Sequence, residues 1–207
     1  MAIGCSISWP GTLPATTRGI SASPVAQPVA QPIAPQPQAA PATGEQAVAP
    51  ERNPPGDIPD DQVFITFASP TAGYQVQVPQ GWARSTNADD VRFVDKLGGV
   101  QVAISSTAQA PTAATAQNSQ AADLQRAGRA VKINKVSDVR LPNGQAVFID
   151  CASNSEPDQV TGKQIRLENH AYLFYKDGKL ATLTMWSPLG ADNTDQWQLM
   201  ARSFKWQ

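Results

Sequence analysis

The sequence has little histidine and little cysteine: one histidine and two cysteines in 207 residues. Any histidine-dependent triad must therefore use His170, and two cysteines are too few for a disulfide framework. No apolar run approaches the roughly 18 residues of a membrane-spanning helix. Gly-x-Ser-x-Gly, His-Glu-x-x-His, phosphate-loop and Cys-x-x-Cys motifs are also missing, and with them the usual signs of hydrolase, nucleotide-binding or redox chemistry. We therefore predict that the protein is not an enzyme.

An excess of charge of one sign is also missing. The chain has 16 basic and 17 acidic residues, and residues 58–207 have 14 of each once Arg18, Arg52, Glu45, Glu51 and Asp57 are set aside. A nucleic-acid-binding domain needs a basic surface to neutralise phosphates. The balance therefore predicts no nucleic-acid partner.

Proline, by contrast, is abundant at one end. Twelve of the 18 prolines precede Asp60, and ten of these lie in a Pro/Ala/Gln-rich tract over residues 23–59. Such a tract offers neither the apolar surface nor the backbone N–H donors that a packed core needs. We predict three regions: a leader over residues 1–22, a disordered linker over 23–59, and a folded domain over 60–207.

The leader contains Cys5, which follows Ala2-Ile3-Gly4. An aliphatic residue and a glycine before a cysteine are typical of the end of a bacterial lipoprotein cleavage site, although Ala2 stands where leucine is usual. Lipidation of Cys5 would attach the chain to a membrane, and the linker would hold the domain away from that surface. The alternative is an unstructured terminal cysteine.

Alternation of apolar and polar residues predicts strands in the folded part. The candidate strands are residues 74–78, 91–95, 100–104, 136–141, 146–152, 165–175 and 180–186. Gly98-Gly99, Pro142-Asn143-Gly144 and Lys176-Asp177-Gly178-Lys179 are typical turn sequences, so several of these strands should form antiparallel hairpins.

Helical spacing of apolar residues predicts two helices. One lies within residues 121–131, and a terminal helix presents Trp197, Met200 and Phe204 on one face. Asn193 and Gln196 have the spacing of a capping box at the start of the terminal helix. Strands followed by a covering helix indicate an α+β fold, an antiparallel sheet covered by helices.

One strand face carries the residues most suited to metal binding. Along residues 165–175 the odd positions are the better core candidates, while Glu168 and His170 lie on the even face. The preceding strand is also apolar at odd positions, including Cys151 as a small buried thiol, so Asp150 should share the face of Glu168 and His170. Symmetrical pairing would bring Asp150 near Glu168, and a positive group should then lie beside these two carboxylates.

Arg166 and His170 are candidates for that positive group, and so is a bound cation. Oxygen ligands suit calcium, whereas a carboxylate with an imidazole suits zinc or manganese. The sequence thus predicts a metal site at Asp150, Glu168 and His170. The alternative is an ordinary salt-bridged sheet face. Four tryptophans, Trp82, Trp186, Trp197 and Trp206, are interpreted as core or sheet-covering residues rather than a ligand cage.

Several segments together resemble the PsbP family, the extrinsic proteins of photosystem II and their bacterial relatives, which share the Mog1/PsbP fold. The resemblance spans about residues 64–206 and is carried by residues 73–82, 91–104, 170–180, Trp197 and Ser203-Phe204.

This resemblance implies a non-enzymatic protein outside the cytoplasm, in the thylakoid lumen or on the periplasmic side, often with a lipid anchor. It also implies that the protein binds, stabilises or helps to assemble a membrane complex such as photosystem II, with calcium or another metal involved in the photosynthetic members. The alternative is a lipoprotein that binds a metal or another small ligand. The long Pro/Gln linker departs from the family and argues against tight direct docking on photosystem II.

Overall fold

The computed structural model describes residues 44–207. The predicted leader, Cys5 and the first part of the linker lie outside the described residues. Ten strands and three helices follow one another along the described part of the chain: β1 Phe64–Ser69, β2 Tyr74–Pro79, β3 Ala83–Asn87, β4 Asp90–Asp95, β5 Gly98–Ser106, α1 Ala113–Asn118, α2 Gln120–Ala127, β6 Arg129–Leu141, β7 Gly144–Asn154, β8 Arg166–Lys176, β9 Lys179–Pro188, α3 Thr194–Ser203 and β10 Lys205–Trp206.

The strands form two antiparallel sheets. A large sheet has the order β3-β4-β5-β9-β8-β7-β6, and a small sheet has the order β1-β2-β10. The predicted α+β class is confirmed, and a strand is found at each predicted position. The short strands β1, β3 and β10 were not predicted from the sequence. No helix in the described part of the chain is long and apolar enough to span a membrane.

The predicted helix within residues 121–131 is wrong in its extent. Within that range only the residues up to Ala127 are helical, in α2, which begins after Ser119. A separate helix, α1, begins after the N-cap Thr112 and ends before the predicted range. Ser119 interrupts the helix because its backbone leaves the helical region, and its hydroxyl donates to the carbonyl of Thr115. Val131, which the spacing placed on the helix, lies in β6.

The β4–β5 turn also differs from the prediction. Gly98 and Gly99 lie in β5, where they pair with Asp95 and Val94, so the turn is made by the two residues before them. Glycine is needed at position 99 for a different reason. A Cβ atom there would lie 1.9 Å from Cζ2 of Trp186, so only glycine leaves room for the indole.

The main core draws side chains from both sheets and from α3. Phe204 stacks between two other aromatic rings, with centroids 4.1 Å from Phe174 and 5.5 Å from Tyr74. The even face of β8 therefore contributes Tyr172 and Phe174 to the larger core, and the odd face, predicted as the core face, is buried at Ala171 and Leu173. The odd face packs in a smaller cluster with Ala116 of α1, which includes Ile149 and Leu173.

Residues 45–58, here called the strap, pack against the folded domain. Their contacts are made with side chains far along the sequence: the N–H of Val48 donates to Oδ1 of Asn154 (3.1 Å), and the N–H of Ile58 donates to Oδ1 of Asn193 (2.6 Å). Ile58 is buried. The strap lies within the predicted linker, and these asparagines supply hydrogen bonds that its own composition lacks.

The strap also removes the predicted capping box. Asn193 precedes α3, but its side chain makes no capping bond, since its Nδ2 donates to the carbonyl of Gly56 and its Oδ1 accepts from Ile58. Gln196 likewise donates to the carbonyl of Ile58. The two residues hold the strap rather than the start of the helix.

Candidate metal centre

The predicted metal ligands lie side by side on the face of the large sheet that packs on α3. Asp150 of β7 is directly opposite His170 of β8, and Glu168 is opposite Ala152. The expected pairing of Asp150 with Glu168 was therefore wrong by two residues along β8, which is the next position on the same face. The connection between the strands is centred one residue later than that pairing requires. Within it, the Asp158 carboxylate accepts from the N–H groups of Val160 and Thr161.

The three side chains converge. One ligand atom from each of Asp150, Glu168 and His170 lies within 4.8 Å of the other two, and Nε2 of His170 lies 3.2 Å from Oε1 of Glu168. The imidazole is 17% exposed and the Glu168 side chain 32% exposed, so the cluster is partly shielded but open to solvent on one side. Parity along two strands was enough to predict that these residues share a face.

Aromatic rings hold the imidazole in place. The ring of His170 meets Phe148 of β7 and Trp197 of α3 edge to face, with centroid distances of 4.9 and 4.7 Å. Nδ2 of Asn134 donates to Oδ1 of Asp150 (3.0 Å). Outer partners of this kind orient the groups that bind a metal. Asn134 was not predicted, because a bulge in β6 determines its position.

A buried hydroxyl lies beside the cluster. Ser187 of β9 is directly opposite Glu168, is 2% exposed, and its Oγ has no hydrogen-bond partner among the described residues. An unpaired buried hydroxyl costs about 1–3 kcal/mol. A ligand at Glu168 would give this hydroxyl a polar neighbour. Nothing in the local sequence pattern indicated Ser187.

The donor set fits some metals better than others. An imidazole with two carboxylates suits manganese or zinc, with water completing the coordination. Calcium prefers six to eight oxygen ligands, and these three residues provide too few of them. Binding of a metal to Asp150, Glu168 and His170 stays a prediction, and their geometry favours manganese or zinc over calcium.

Arg166 does not pair with the carboxylates of Asp150 and Glu168. It is buried, and its guanidinium donates to the carbonyl of Ala130 (2.8 Å) and to Oδ1 of Asn154 (3.0 Å). Burial lowers the pKa of Arg166. Its role is to join the starts of β6 and β8 to the end of β7. Of the two predicted positive groups, only His170 lies beside the carboxylates.

Cys151 and most of the tryptophans have the predicted structural positions. Cys151 is buried, and burial, with a smaller contribution from Asp150, raises the pKa of its thiol to about 11. Trp197 is buried in the main core, and Trp82 and Trp206 pack against that core. Trp186 is different, since its indole lies on the opposite face of the large sheet under the guanidinium of Arg92.

Comparisons with known proteins show the fold and no more. No family model matches the sequence, and neither does any curated protein. The solution structure of cyanobacterial PsbP (CyanoP) from Synechocystis sp. PCC 6803 is similar, with a TM-score of 0.53 and 15% identity, over 74% of this chain and 99% of that one. The Ran-binding protein Mog1p of Saccharomyces cerevisiae gives a TM-score of 0.48 and 11% identity, over 70% and 95%. The likeness to the cyanobacterial protein shows that the chain has a PsbP-like fold.

Proposed function

We propose that the chain is a non-enzymatic, extracytoplasmic protein that binds a membrane protein complex and stabilises it or helps to assemble it. In a photosynthetic host the complex is photosystem II, and the domain lies on the thylakoid-lumenal or periplasmic side, anchored through lipid on Cys5. The observation that carries the proposal is the likeness to cyanobacterial PsbP, which extends over 99% of that protein. A fold alone does not determine function, so the partner must be tested directly.

The strap supports a tethered role because it fixes where the N-terminal tract meets the domain. Glu45 is hydrogen-bonded to Asn154 (3.1 Å) and paired with Arg129 (2.8 Å). A tether that meets the domain at a fixed place would limit the orientations in which the domain can face the membrane.

Affinity isolation from native membranes tests the proposal. The tagged full chain, solubilised in mild detergent, should co-purify with the subunits of one membrane complex. Cys5→Ser should co-purify with a smaller amount of that complex, because the membrane no longer concentrates the variant near its partner. Isolation of the wild-type chain alone from membranes that contain the complex would contradict the proposal.

A second candidate function is binding of a divalent metal at Asp150, Glu168 and His170. The specific observation is their convergence within 4.8 Å beside the unpaired hydroxyl of Ser187. His170 is the only histidine in the chain, so its imidazole resonances can be assigned without ambiguity. Substoichiometric Mn²⁺ should broaden these resonances selectively, and the same addition to Glu168→Gln should leave them sharp. Equal broadening in both proteins would remove this candidate.

A further inference from the structure

A groove of about 830 Å³ lies on the face of the large sheet away from the candidate metal centre. Its floor is made by β4, β5, β9 and β8, and its walls by the β7–β8 loop, the strap residue Glu51 and Leu124 of α2. Backbone hydrogen bonds order the loop wall, from Ser155 to Ile165 (2.9 Å) and from Asp158 to Lys163 (2.9 Å). The helices α1 and α2 cover only the neighbouring part of this sheet face, which leaves the groove open.

Trp186 and Arg92 form the centre of the floor. The indole lies against the backbone of Gly99, and the guanidinium carbon of Arg92 lies 4.6 Å from the indole centroid. Trp186 is half-buried and Arg92 is exposed. Tryptophan and arginine are among the residue types most enriched at the energetic hot spots of protein interfaces.

The acidic residues of the groove have charged or hydrogen-bonding partners, whereas two of its basic residues make no ion pair with a described residue. Its acidic residues are engaged: Glu51 pairs with Lys163, Glu156 pairs with Arg129, and the Asp158 carboxylate accepts from its own loop. The remaining cations, Arg92 and Lys96, lie together at the β4–β5 end and make no ion pair with any described residue. This end of the groove is therefore complementary to negative charge.

Two exposed apolar side chains stand near the groove. Leu97, beside Lys96 in the β4–β5 turn, is 39% exposed, and Val160, at the tip of the β7–β8 loop, is 93% exposed. Apolar groups at the surface, next to polar ones, are typical of sites that bind other proteins. Leu97 lines the groove and offers an apolar contact beside Lys96 to a protein segment that crosses it.

We propose that this groove binds an extended segment of a partner protein, with acidic residues over Arg92 and Lys96 and an aromatic or large apolar residue on Trp186. The four floor strands span about 14 Å at about 4.8 Å per step, which an extended segment crosses in about four residues. The proposal rests on the proposed function, since it specifies the chemistry of the partner in the membrane complex.

Charge reversal tests the proposal on the full chain. The probes are capped octapeptides in which one half is four Glu residues and the other half is Phe-Ser-Phe-Ser. Peptides with the Glu half first and peptides with it last are both used. Each is compared with a version that has Lys in place of every Glu. The acidic peptides should bind the wild type and shift the indole N–H resonance of Trp186. Arg92→Glu with Lys96→Glu should weaken them at least tenfold and favour the lysine peptides.

A matched control has the same change in charge elsewhere. Arg84→Glu with Lys205→Glu alters one exposed arginine stacked on an aromatic ring, Phe67, and one exposed lysine, both outside the groove. This variant should bind the acidic peptides within twofold of the wild type. Equal binding of acidic and basic peptides, or an equal loss in both variants, would overturn the proposal. So would binding of naphthalene sulfonate at Trp186 without binding of either peptide.

Affinity isolation separates this inference from the proposed function. If the groove binds the partner, the complex should return with the wild type and the Arg84/Lys205 variant but not with the Arg92/Lys96 variant. Return of the complex with all three proteins would overturn the groove proposal and leave the proposed function standing. Return with none of them would contradict the proposed function itself.

Discussion

Asp150 and His170 lie directly opposite each other on the neighbouring strands β7 and β8. Glu168 is diagonal to this pair, with its Oε1 3.2 Å from Nε2 of His170. A cross-strand pair and its diagonal neighbour are held at nearly fixed separation by the sheet. The three donors are therefore preorganised by the backbone, and a metal would not have to gather them from separate loops.

Metal binding should raise the melting temperature. A ligand at 100 times its Kd that binds only the folded state adds about 2.7 kcal/mol, which corresponds to roughly 5–10 °C for a domain of this size. We expect Mn²⁺ and Zn²⁺ to produce such a shift in thermal unfolding and Ca²⁺ to produce a smaller one. His170→Ala with Glu168→Gln should abolish the response, and Asp95→Asn, at an exposed carboxylate outside the cluster, should keep it. Identical responses from both variants would make the cluster irrelevant to binding.

The strap should contribute measurably to stability. Asn193→Ala removes the bond from the Ile58 N–H and the bond to the Gly56 carbonyl, in a side chain that is 2% exposed. Leaving a buried N–H without a partner costs about 1–3 kcal/mol, or roughly 2–12 °C in melting temperature. Asn87→Ala, at an exposed position, serves as the control. A chain that begins at Ile58 should also melt lower than the full chain, and equal melting would show that the strap does not pack.

Low pH should remove the stability that the ionised carboxylate of Glu45 contributes through the strap. Hydrogen bonds from Asn154 and Gln164, and then Arg129, hold the pKa of the Glu45 carboxyl below its ordinary value of 4.5. The contribution is present above the ordinary pKa and is lost as pH falls through the lowered one. The wild type should therefore melt above Glu45→Gln at pH 7, and the difference should shrink as the pH falls below 4.5. A difference that stays constant from pH 7 to 3 would contradict this assignment.

The thiol of Cys151 should be unreactive in the folded protein. Burial raises its pKa to about 11, so very little thiolate is present near neutral pH, and the thiolate is the reactive form. In Cys5→Ser, a disulfide reagent at pH 7.5 should label no thiol in the native state and one thiol in guanidinium chloride. Rapid native labelling would show that β7 opens readily at this residue.

The strands were predictable because alternation is a local signal. Parity along two strands predicted the shared face of Asp150, Glu168 and His170, since a shift by one residue would have buried the wrong set. The exact partner of Asp150 was not predictable, because alternation specifies which faces meet but not where the connection between β7 and β8 is centred.

Features that depend on distant partners were missed. The strap is held by Asn154 and Asn193, more than 100 residues away along the chain, so its composition alone indicated disorder. The stack of Arg92 on Trp186 joins strands that are separated by β5 in the sheet. No periodic pattern in either strand indicates such a contact, and Gly99 appeared to be a turn residue until its closeness to the indole was known.

Sedimentation of the untagged protein in solubilised native membranes tests the central claim most directly. A 22.0 kDa chain that binds a membrane complex should be found in the fractions of that complex, and should move to the top of the gradient when the complex is genetically removed. If the protein instead remains at the top of the gradient in membranes that contain the intact complex, the account of a complex-binding protein is contradicted.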